Sequence, residues 1–208
     1  MKFKTSRLLL PFFLFCIFIF LTLLVFINGF DALDIEVTKF LQNVIPRSLD
    51  TTFSLFSLFG SFEMVSLLLL LIWYLYKKLN LFYVLILFGL FHILELLGKL
   101  FINHPNPPSE FSRYAIPFSF PSSSVNTGSS FPSGHMGRTI FISIILGIII
   151  SRSKKLSKNK KRLIYLLIFL FDFIMFISRI YLGEHWFSDI LGATILGASF
   201  ALLILLFF

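Results

Sequence analysis

Long apolar stretches alternate with polar segments along the whole chain. Each stretch is about as long as the ~20 residues that a helix needs to cross the ~30 Å hydrocarbon core of a bilayer. The runs are continuous and lack the strict apolar–polar alternation of a membrane barrel, which favours helices over strands. The pattern predicts six transmembrane helices, over residues 8–27, 56–76, 81–102, 133–150, 163–180 and 189–208.

A further segment, residues 31–45, has a different pattern. Its apolar residues recur at helical spacing, while charged residues occupy the rest of the surface. This predicts an amphipathic helix between the first and second spans. Two placements fit the pattern: the helix lies in the membrane interface, or it packs over the mouth of the bundle. The apolar residues are Leu33, Val37, Phe40, Leu41 and Val44.

Composition supports a membrane protein. Of the 208 residues, 57% are hydrophobic and 13% are charged, whereas a soluble domain is about a quarter charged. The 30 phenylalanines exclude intrinsic disorder, and a single cysteine, Cys16, excludes a disulfide scaffold. We therefore expect an all-α integral membrane protein, a six-helix bundle forming one domain over residues 1–208.

The net charge is +8, and the placement of the basic residues predicts how the protein is oriented in the membrane rather than a nucleic-acid partner. If the N-terminus is cytoplasmic, most of the basic residues share that side, as the positive-inside rule requires. We therefore expect a protein of the cytoplasmic membrane with both termini inside the cell. The proline-rich loop 103–132 and the turn 181–188 are then outside. The basic residues in question are Lys2, Lys4, Arg7, Lys77, Lys78, Arg152, Lys154, Lys155, Lys158, Lys160, Lys161 and Arg162.

Three groups of polar residues lie at this predicted outer face. The first is on the third helix, where Glu95 precedes Lys99 by four residues, the favourable order for an ion pair. Ionisable residues within a membrane are costly and are candidates for function. Glu95 is interpreted as a structural partner, whereas Lys99 is close enough to the helix end to reach the loop.

The second group begins the fourth helix with the sequence Pro132-Ser133-Gly134-His135. Proline and serine suit a helix start. We expect the first N–H groups, from Ser133 onwards, to point outwards and to form an anion site, with Gly134 allowing a phosphate to approach the backbone.

The third group joins the fifth and sixth helices. Arg179 offers a planar fork for phosphate oxygens. His185 and Asp189 are four residues apart, so in a helical turn the carboxylate can accept the imidazole N–H. That contact fixes the tautomer and leaves the other ring nitrogen as a nucleophile or a base.

Together these groups resemble the type 2 phosphatidic acid phosphatase (PAP2) superfamily of membrane phosphatases. The family pattern is Lys-x6-Arg-Pro, then Pro-Ser-Gly-His, then Ser-Arg-x5-His-x3-Asp. The second part matches in full, and the third matches at Ser178, Arg179, His185 and Asp189. The core motifs span residues 99–189, and the first part matches at Lys99 and Pro107.

The resemblance implies a role for each matching residue. His185 attacks phosphorus and carries the phosphoryl group, Asp189 orients it, and His135 protonates the leaving group and later activates water. The phosphate oxygens are held by Lys99, Ser133, Gly134 and Arg179. The resemblance thus implies a metal-independent phosphoric ester or diphosphate hydrolase without a cofactor, whose substrate is a lipid phosphate.

The sequence departs from the family at Asn106, where the pattern has arginine. Losing a charged phosphate contact costs about 1.5–3 kcal/mol unless another group replaces it. Arg113 is the favoured replacement because it lies in the same outer loop. Arg138 and His104 are the alternatives, and Arg138 could instead bind Glu95.

The resemblance leaves several substrates open. Undecaprenyl diphosphate is favoured, because its hydrolysis is a common task of small bacterial relatives. Phosphatidic acid, phosphatidylglycerol phosphate and lipid A are alternatives. A non-enzymatic lipid-binding or transport protein on the same fold is the alternative from another class.

Overall fold

The computed structural model describes residues 2–124 and 128–207. Part of the predicted outer loop and the last residue of the predicted sixth span therefore lie outside the described residues. The α-helices are α1 (Lys2–Phe26), α2 (Asp31–Val44), α3 (Asp50–Ser57), α4 (Phe62–Leu75), α5 (Leu81–Phe101), α6 (Gly134–Arg152), α7 (Lys158–Tyr181) and α8 (Phe187–Leu203).

The all-helical membrane fold predicted from the sequence is confirmed. Among the described residues, five segments are long and apolar enough to span a membrane, and a bent helix pair makes six if the pair is counted as one span. Many large apolar side chains on α1, α5 and α7 point outwards, where lipid replaces water as the solvent. The five single spans are Arg7–Phe26, Leu81–Phe101, Gly134–Arg152, Lys158–Tyr181 and Phe187–Leu206.

The predicted second span, residues 56–76, is not one straight helix. Two parts, Arg47–Gly60 and Phe62–Leu75, meet at an angle of 53°. At the break, the Ser61 hydroxyl accepts the N–H of Met64 at 3.3 Å and begins α4. The break also frees the carbonyl of Gly60, which accepts the Arg138 Nε–H at 3.0 Å. A buried guanidinium on a neighbouring helix thus finds an acceptor that an unbroken helix would keep for itself.

Helices α6 and α8 form the centre of the bundle, and α1 packs against α8. Gly197 of α8 lies against the backbone of Gly137 on α6, where a Cβ would overlap the Gly137 carbonyl oxygen. Small residues at a crossing allow membrane helices to pack closely. This contact brings the first turns of α6 and α8, which carry the second and third motifs, to the same end of the bundle.

The helix α2 lies at the end of the bundle that carries the motifs, as both predicted placements require. It packs against α7 and α8. Its polarity differs from the expected pattern, because Asp34 and Thr38 are buried while Phe40 and Val44 are exposed. Asp34 was expected on the polar outer surface. It points inwards because its carboxylate hydrogen-bonds the first turn of α8.

Candidate active site

A cavity of about 710 Å³ opens at the end of the bundle where α5, α6, α7 and α8 meet the outer loop. Most of the predicted site residues line it. They are Lys99, Asn106, Gly134, His135, Arg179 and His185. Ser133 and Asp189 lie behind the wall, each with 0% of its surface exposed. The sequence motifs, separated by up to ninety positions in the chain, are therefore gathered around one space.

The turn between α7 and α8 places His185 in this cavity. Gly183 has a φ of +68°, and a Cβ there would overlap the carbonyl of Phe111, so this turn needs glycine. The Arg179 carbonyl accepts the N–H groups of Glu184 at 3.2 Å and of His185 at 3.3 Å. The turn is thus held by the main chain, which fixes the direction of the His185 side chain.

His185 has the environment of a neutral nucleophile. Its Nδ1 lies 3.4 Å from Oδ2 of Asp189, which also accepts the backbone N–H of Trp186 at 2.8 Å. Burial lowers the pKa of His185 well below its usual range, and the positive charges of Arg179, Lys99 and Arg138 lower it further. With a proton on Nδ1 facing Asp189, the Nε2 atom keeps a free lone pair.

The start of α6 differs in one detail from the predicted anion site. The N–H of Ser133 is not free, because it donates to the carbonyl of Asp189 at 3.2 Å. The Ser133 hydroxyl is buried and has no hydrogen-bond partner within the described part of the chain. Gly134 and His135 line the cavity, so the anion-binding N–H groups of this helix begin one residue later than expected.

Arg179 is a buried cation with spare hydrogen-bonding capacity. Only 3% of its surface is exposed, and Nη2 donates to Oε2 of Glu184 at 3.2 Å. Its Nε has no partner among the described residues. A buried donor without an acceptor is costly. A phosphate oxygen in the cavity would satisfy it.

Glu95 joins the other two cations of the cavity. Its Oε1 accepts from Lys99 Nζ at 2.9 Å, which confirms the predicted pair, and its Oε2 lies 3.4 Å from Nη1 of Arg138. The carboxylate rests against Gly134, where a Cβ would overlap Oε1. Glu95 and Arg138 both line the cavity. The carboxylate therefore sits at the start of α6, close to where a phosphate would approach that helix.

Arg113 is not at the cavity. Its guanidinium donates to the carbonyls of Gln42 at 2.8 Å and Ile45 at 3.4 Å, and it stacks on Tyr181 at 4.8 Å. These contacts at the C-terminal end of α2 satisfy the guanidinium away from any phosphate. Of the three predicted substitutes for the family arginine, Arg138 lines the cavity and His104 is buried outside it.

Within residues 2–124 and 128–207, no three His, Cys, Asp or Glu side chains come together as ligands for a metal ion. Among the described side chains that line the cavity, three are cations: Lys99, Arg138 and Arg179. Two histidines accompany them. This combination suits an anionic phosphate, which requires dense positive charge around the position of transfer.

Comparison with known proteins agrees with this geometry. A model of the PAP2 superfamily matches residues 77–208. This chain belongs to the PAP2 superfamily. Phosphatidylglycerophosphatase B of Bacillus subtilis (strain 168) is 38% identical over 80 residues, a stretch that covers 38% of this chain and 36% of that relative.

Two solved structures share the fold. A crystal structure of a transmembrane PAP2 type phosphatidylglycerolphosphate phosphatase from Bacillus subtilis superposes with a TM-score of 0.75 at 22% identity, covering 93% of both chains. The structure of Aquifex aeolicus LpxE gives a TM-score of 0.62 at 23% identity, covering 83% of this chain and 94% of that one. The chain thus has the six-span fold of this superfamily, with its motif residues at the open end.

Proposed function

We propose that this PAP2 protein hydrolyses a lipid phosphate or diphosphate without a metal ion, through a phosphohistidine at His185. The observation that carries the proposal is the single cavity that contains His185, held by Asp189, together with His135 and three cations. A neutral imidazole with a fixed tautomer can attack phosphorus. The surrounding cations can stabilise the charge on the transferring group.

The proposed reaction has two steps. In the first, Nε2 of His185 forms a bond to phosphorus as the bond to the leaving oxygen breaks, and His135 donates a proton to that oxygen. In the second, His135 takes a proton from water, which attacks phosphorus, and the bond from phosphorus to nitrogen breaks. Phosphate leaves and both histidines return to their starting state, as general acid–base catalysis requires.

Among substrates, we favour a polyprenyl diphosphate such as undecaprenyl diphosphate, from the resemblance to small bacterial members of the family. Phosphatidylglycerol phosphate is the second candidate, and it is favoured by the similarity to the B. subtilis phosphatidylglycerophosphatase. Two features support a lipid over a soluble ester. The cavity lies at the end of a transmembrane bundle, and α2, which packs against α7 and α8, has exposed apolar residues.

The test is phosphate release by the purified protein in detergent. The panel contains undecaprenyl diphosphate, phosphatidylglycerol phosphate, phosphatidic acid and lipid A, each with and without EDTA. We expect turnover of at least one lipid at an unchanged rate in EDTA. Loss of activity in EDTA that added Mg²⁺ restores would contradict the metal-independent mechanism. Tight binding of these lipids without any phosphate release would instead favour a lipid-binding or transport protein.

We also propose that the cavity faces outwards from the cytoplasmic membrane, with both termini inside, because the basic residues gather at the opposite end. Two single-cysteine variants in a Cys16→Ser background test this. Glu110 lies in the outer loop and Lys155 in the connection between α6 and α7, and both are exposed. In intact cells an impermeant maleimide should label Glu110→Cys but not Lys155→Cys, and the reverse result would invert the orientation.

A further inference from the structure

A second group of polar side chains lies behind the nucleophile, outside the cavity. It consists of Asp34 from α2, His104 from the loop after α5, and Ser188 from the first turn of α8. Asp34 is 1% exposed, His104 4% and Ser188 2%. None of them lines the cavity or stands at a specified position of the three sequence motifs. Buried ionisable groups are costly, so a pair of them beside an active site calls for an explanation.

Asp34 holds the first turn of α8 from a different helix. Its Oδ1 accepts the backbone N–H of Ser188 at 2.8 Å, and its Oδ2 accepts the Ser188 hydroxyl at 2.7 Å. A carboxylate at a helix start satisfies a free N–H group and interacts favourably with the helix dipole. The next residue is Asp189. The carboxylate of α2 therefore fixes the turn that presents Asp189 to His185.

His104 lies between Asp34 and Asp189. Its Nε2 is 3.1 Å from the Ser188 hydroxyl oxygen and 3.5 Å from both Asp34 Oδ2 and Asp189 Oδ1. The His104 carbonyl accepts the backbone N–H of Ser130 at 2.9 Å, which anchors this loop residue in place. The side chains thus form a buried row that runs from Asp34 through His104 and Asp189 to His185.

The two oxygens of Asp189 have different surroundings. Oδ2 accepts the N–H of Trp186 and faces His185, whereas Oδ1 makes no direct hydrogen bond within the described residues and faces His104. An ionised carboxylate in a buried site needs donors on both oxygens, and a second carboxylate nearby makes ionisation harder still. An Nε2–H on His104, placed between the two acids, reduces that repulsion.

The protonation states are consistent with this arrangement. Burial lowers the pKa of His104, so its ring is neutral and carries one N–H. Burial also raises the pKa of Asp34 to about 6, against the opposing effect of its hydrogen bonds from Ser188. Asp34 is therefore ionised at neutral pH and accepts both hydrogen bonds. Because the Ser188 hydroxyl donates to Asp34, the Nε2–H of the neutral His104 ring can donate to the Ser188 oxygen, and this N–H lies between the two carboxylates.

We propose that Asp34 and His104 are positioning residues that hold Asp189, and through it His185, in the orientation required for attack on phosphorus. The inference rests on the proposed function of His185 as nucleophile. Neither residue contacts the substrate. The amphipathic helix α2 thus contributes to the reaction through Asp34, from a part of the chain that precedes all three motifs.

Variants of His104 separate positioning from packing. His104→Gln keeps an N–H donor near the position of Nε2, while His104→Phe keeps the ring without any donor. On the panel lipid that the wild type hydrolyses fastest, we expect His104→Phe to lower kcat roughly tenfold to a hundredfold, with KM little changed, the range for leaving a buried charged group without a nearby donor. His104→Gln should recover most of that loss. Equal kcat values for the two variants, or a change in KM alone, would contradict the proposal.

Variants of α2 provide an independent arm with a matched control. Asp34→Asn keeps the shape but removes the charge, and we expect a decrease in kcat of the same order as for His104→Phe. Glu36→Gln changes an exposed acid on the same helix, away from this group, and should leave kcat unchanged. Far-UV circular dichroism and thermal unfolding report whether each variant folds. If Asp34→Asn does not fold, the His104 pair still decides the question.

A measurement without substrate separates this inference from the proposed function. The chain has four histidines, so their ¹⁵N ring resonances can be resolved in detergent, and His185→Ala identifies the one of interest. We expect His185 to carry its proton on Nδ1 in the wild type and to become a mixture of tautomers in His104→Phe and Asp34→Asn. An unchanged His185 spectrum in both variants would overturn the positioning role. A wild type without phosphatase activity would contradict only the proposed function.

Discussion

The two walls of the cavity are held in different ways. The nucleophile wall, residues 179–189, is fixed by main-chain hydrogen bonds around Gly183 and by the carboxylate of Asp189. The cation wall, formed by Glu95 and Lys99 of α5 with Gly134 and Arg138 of α6, is held by one carboxylate that two cations share. The first wall is therefore held mainly by hydrogen bonds of the main chain, whereas the second is held by the attraction between opposite charges on side chains.

The difference follows the family motifs. The nucleophile wall matches the family pattern in full, while the cation wall lacks the family arginine, with Asn106 in its place. Arg138 lines the cavity on that side, and Glu95 pairs with it. We expect this charge, supplied from a neighbouring helix, to compensate for the one missing from the loop. We expect changes to the nucleophile wall to abolish the reaction and changes to the cation wall to alter it by degrees.

The largest effect is expected from His185→Ala. Removal of the nucleophile leaves no group to accept the phosphoryl, so kcat should fall by about a thousandfold or more. The fold should survive, since the turn is held by the main chain. Rapid quenching in alkaline detergent, in which the phosphorus–nitrogen bond of a phosphohistidine is stable, after mixing with ³²P-labelled lipid should trap labelled protein in the wild type and none in the variant. Label in the variant, or more than a few per cent of the activity, would reassign the nucleophile.

The second effect distinguishes Arg138 from Arg113. Arg138→Ala should lower kcat/KM roughly tenfold to a hundredfold, the value of one charged phosphate contact. Arg113→Ala serves as the matched control. It removes hydrogen bonds to Gln42 and Ile45, so it should lower the melting temperature while leaving kcat/KM near that of the wild type.

If Arg113→Ala lowered kcat/KM more than Arg138→Ala, the charge that replaces the family arginine would have to come from Arg113 in the outer loop. Arg138→Lys guards against misfolding, because it keeps the buried charge opposite Glu95 and loses only the planar fork. We expect its kcat/KM to lie between those of the wild type and Arg138→Ala.

Part of this site could be predicted from the sequence because the motifs are local. A helix start, a tight turn and a four-residue spacing determine how Gly134, Gly183 and the pair His185–Asp189 are arranged. The long-range contacts could not be predicted in this way. Nothing near Arg113 in the sequence indicates that its guanidinium is satisfied by α2.

The buried side of α2 shows the same limit. Helical periodicity correctly predicted the helix, but it assigned Asp34 to the polar outer surface. In a membrane bundle the polar face of a helix can point inwards, towards other polar groups, while its apolar face meets lipid. The break at Ser61 is also not predicted, because the run of apolar residues continues past it and Arg138, which binds the freed carbonyl of Gly60, lies on another helix.

A smaller effect is expected from Glu95→Gln. The Glu95 carboxylate lies at the start of α6 beside Lys99 and Arg138, where it competes with a phosphate for the same charges. Without its charge, inorganic phosphate should inhibit about fivefold to tenfold more strongly, since removing one charge at ~4 Å is worth ~1 kcal/mol even in water. Inhibition constants measured at one pH provide the comparison. Weaker inhibition would mean that Glu95 mainly organises the cations.

The smallest effect is expected from restoring the family residue with Asn106→Arg. Asn106 lines the cavity but is exposed, and an exposed charge pair contributes only about 0.2–1 kcal/mol because water screens it. In the wild-type background kcat/KM should therefore rise by no more than about fivefold. In the Arg138→Ala background the gain should be larger, because the added guanidinium replaces a missing cation instead of joining a complete set. Asn106→Gln controls for side-chain length. Equal gains in both backgrounds would show that residues 106 and 138 act on the phosphate independently, and that Arg138 does not fill the place of the family arginine.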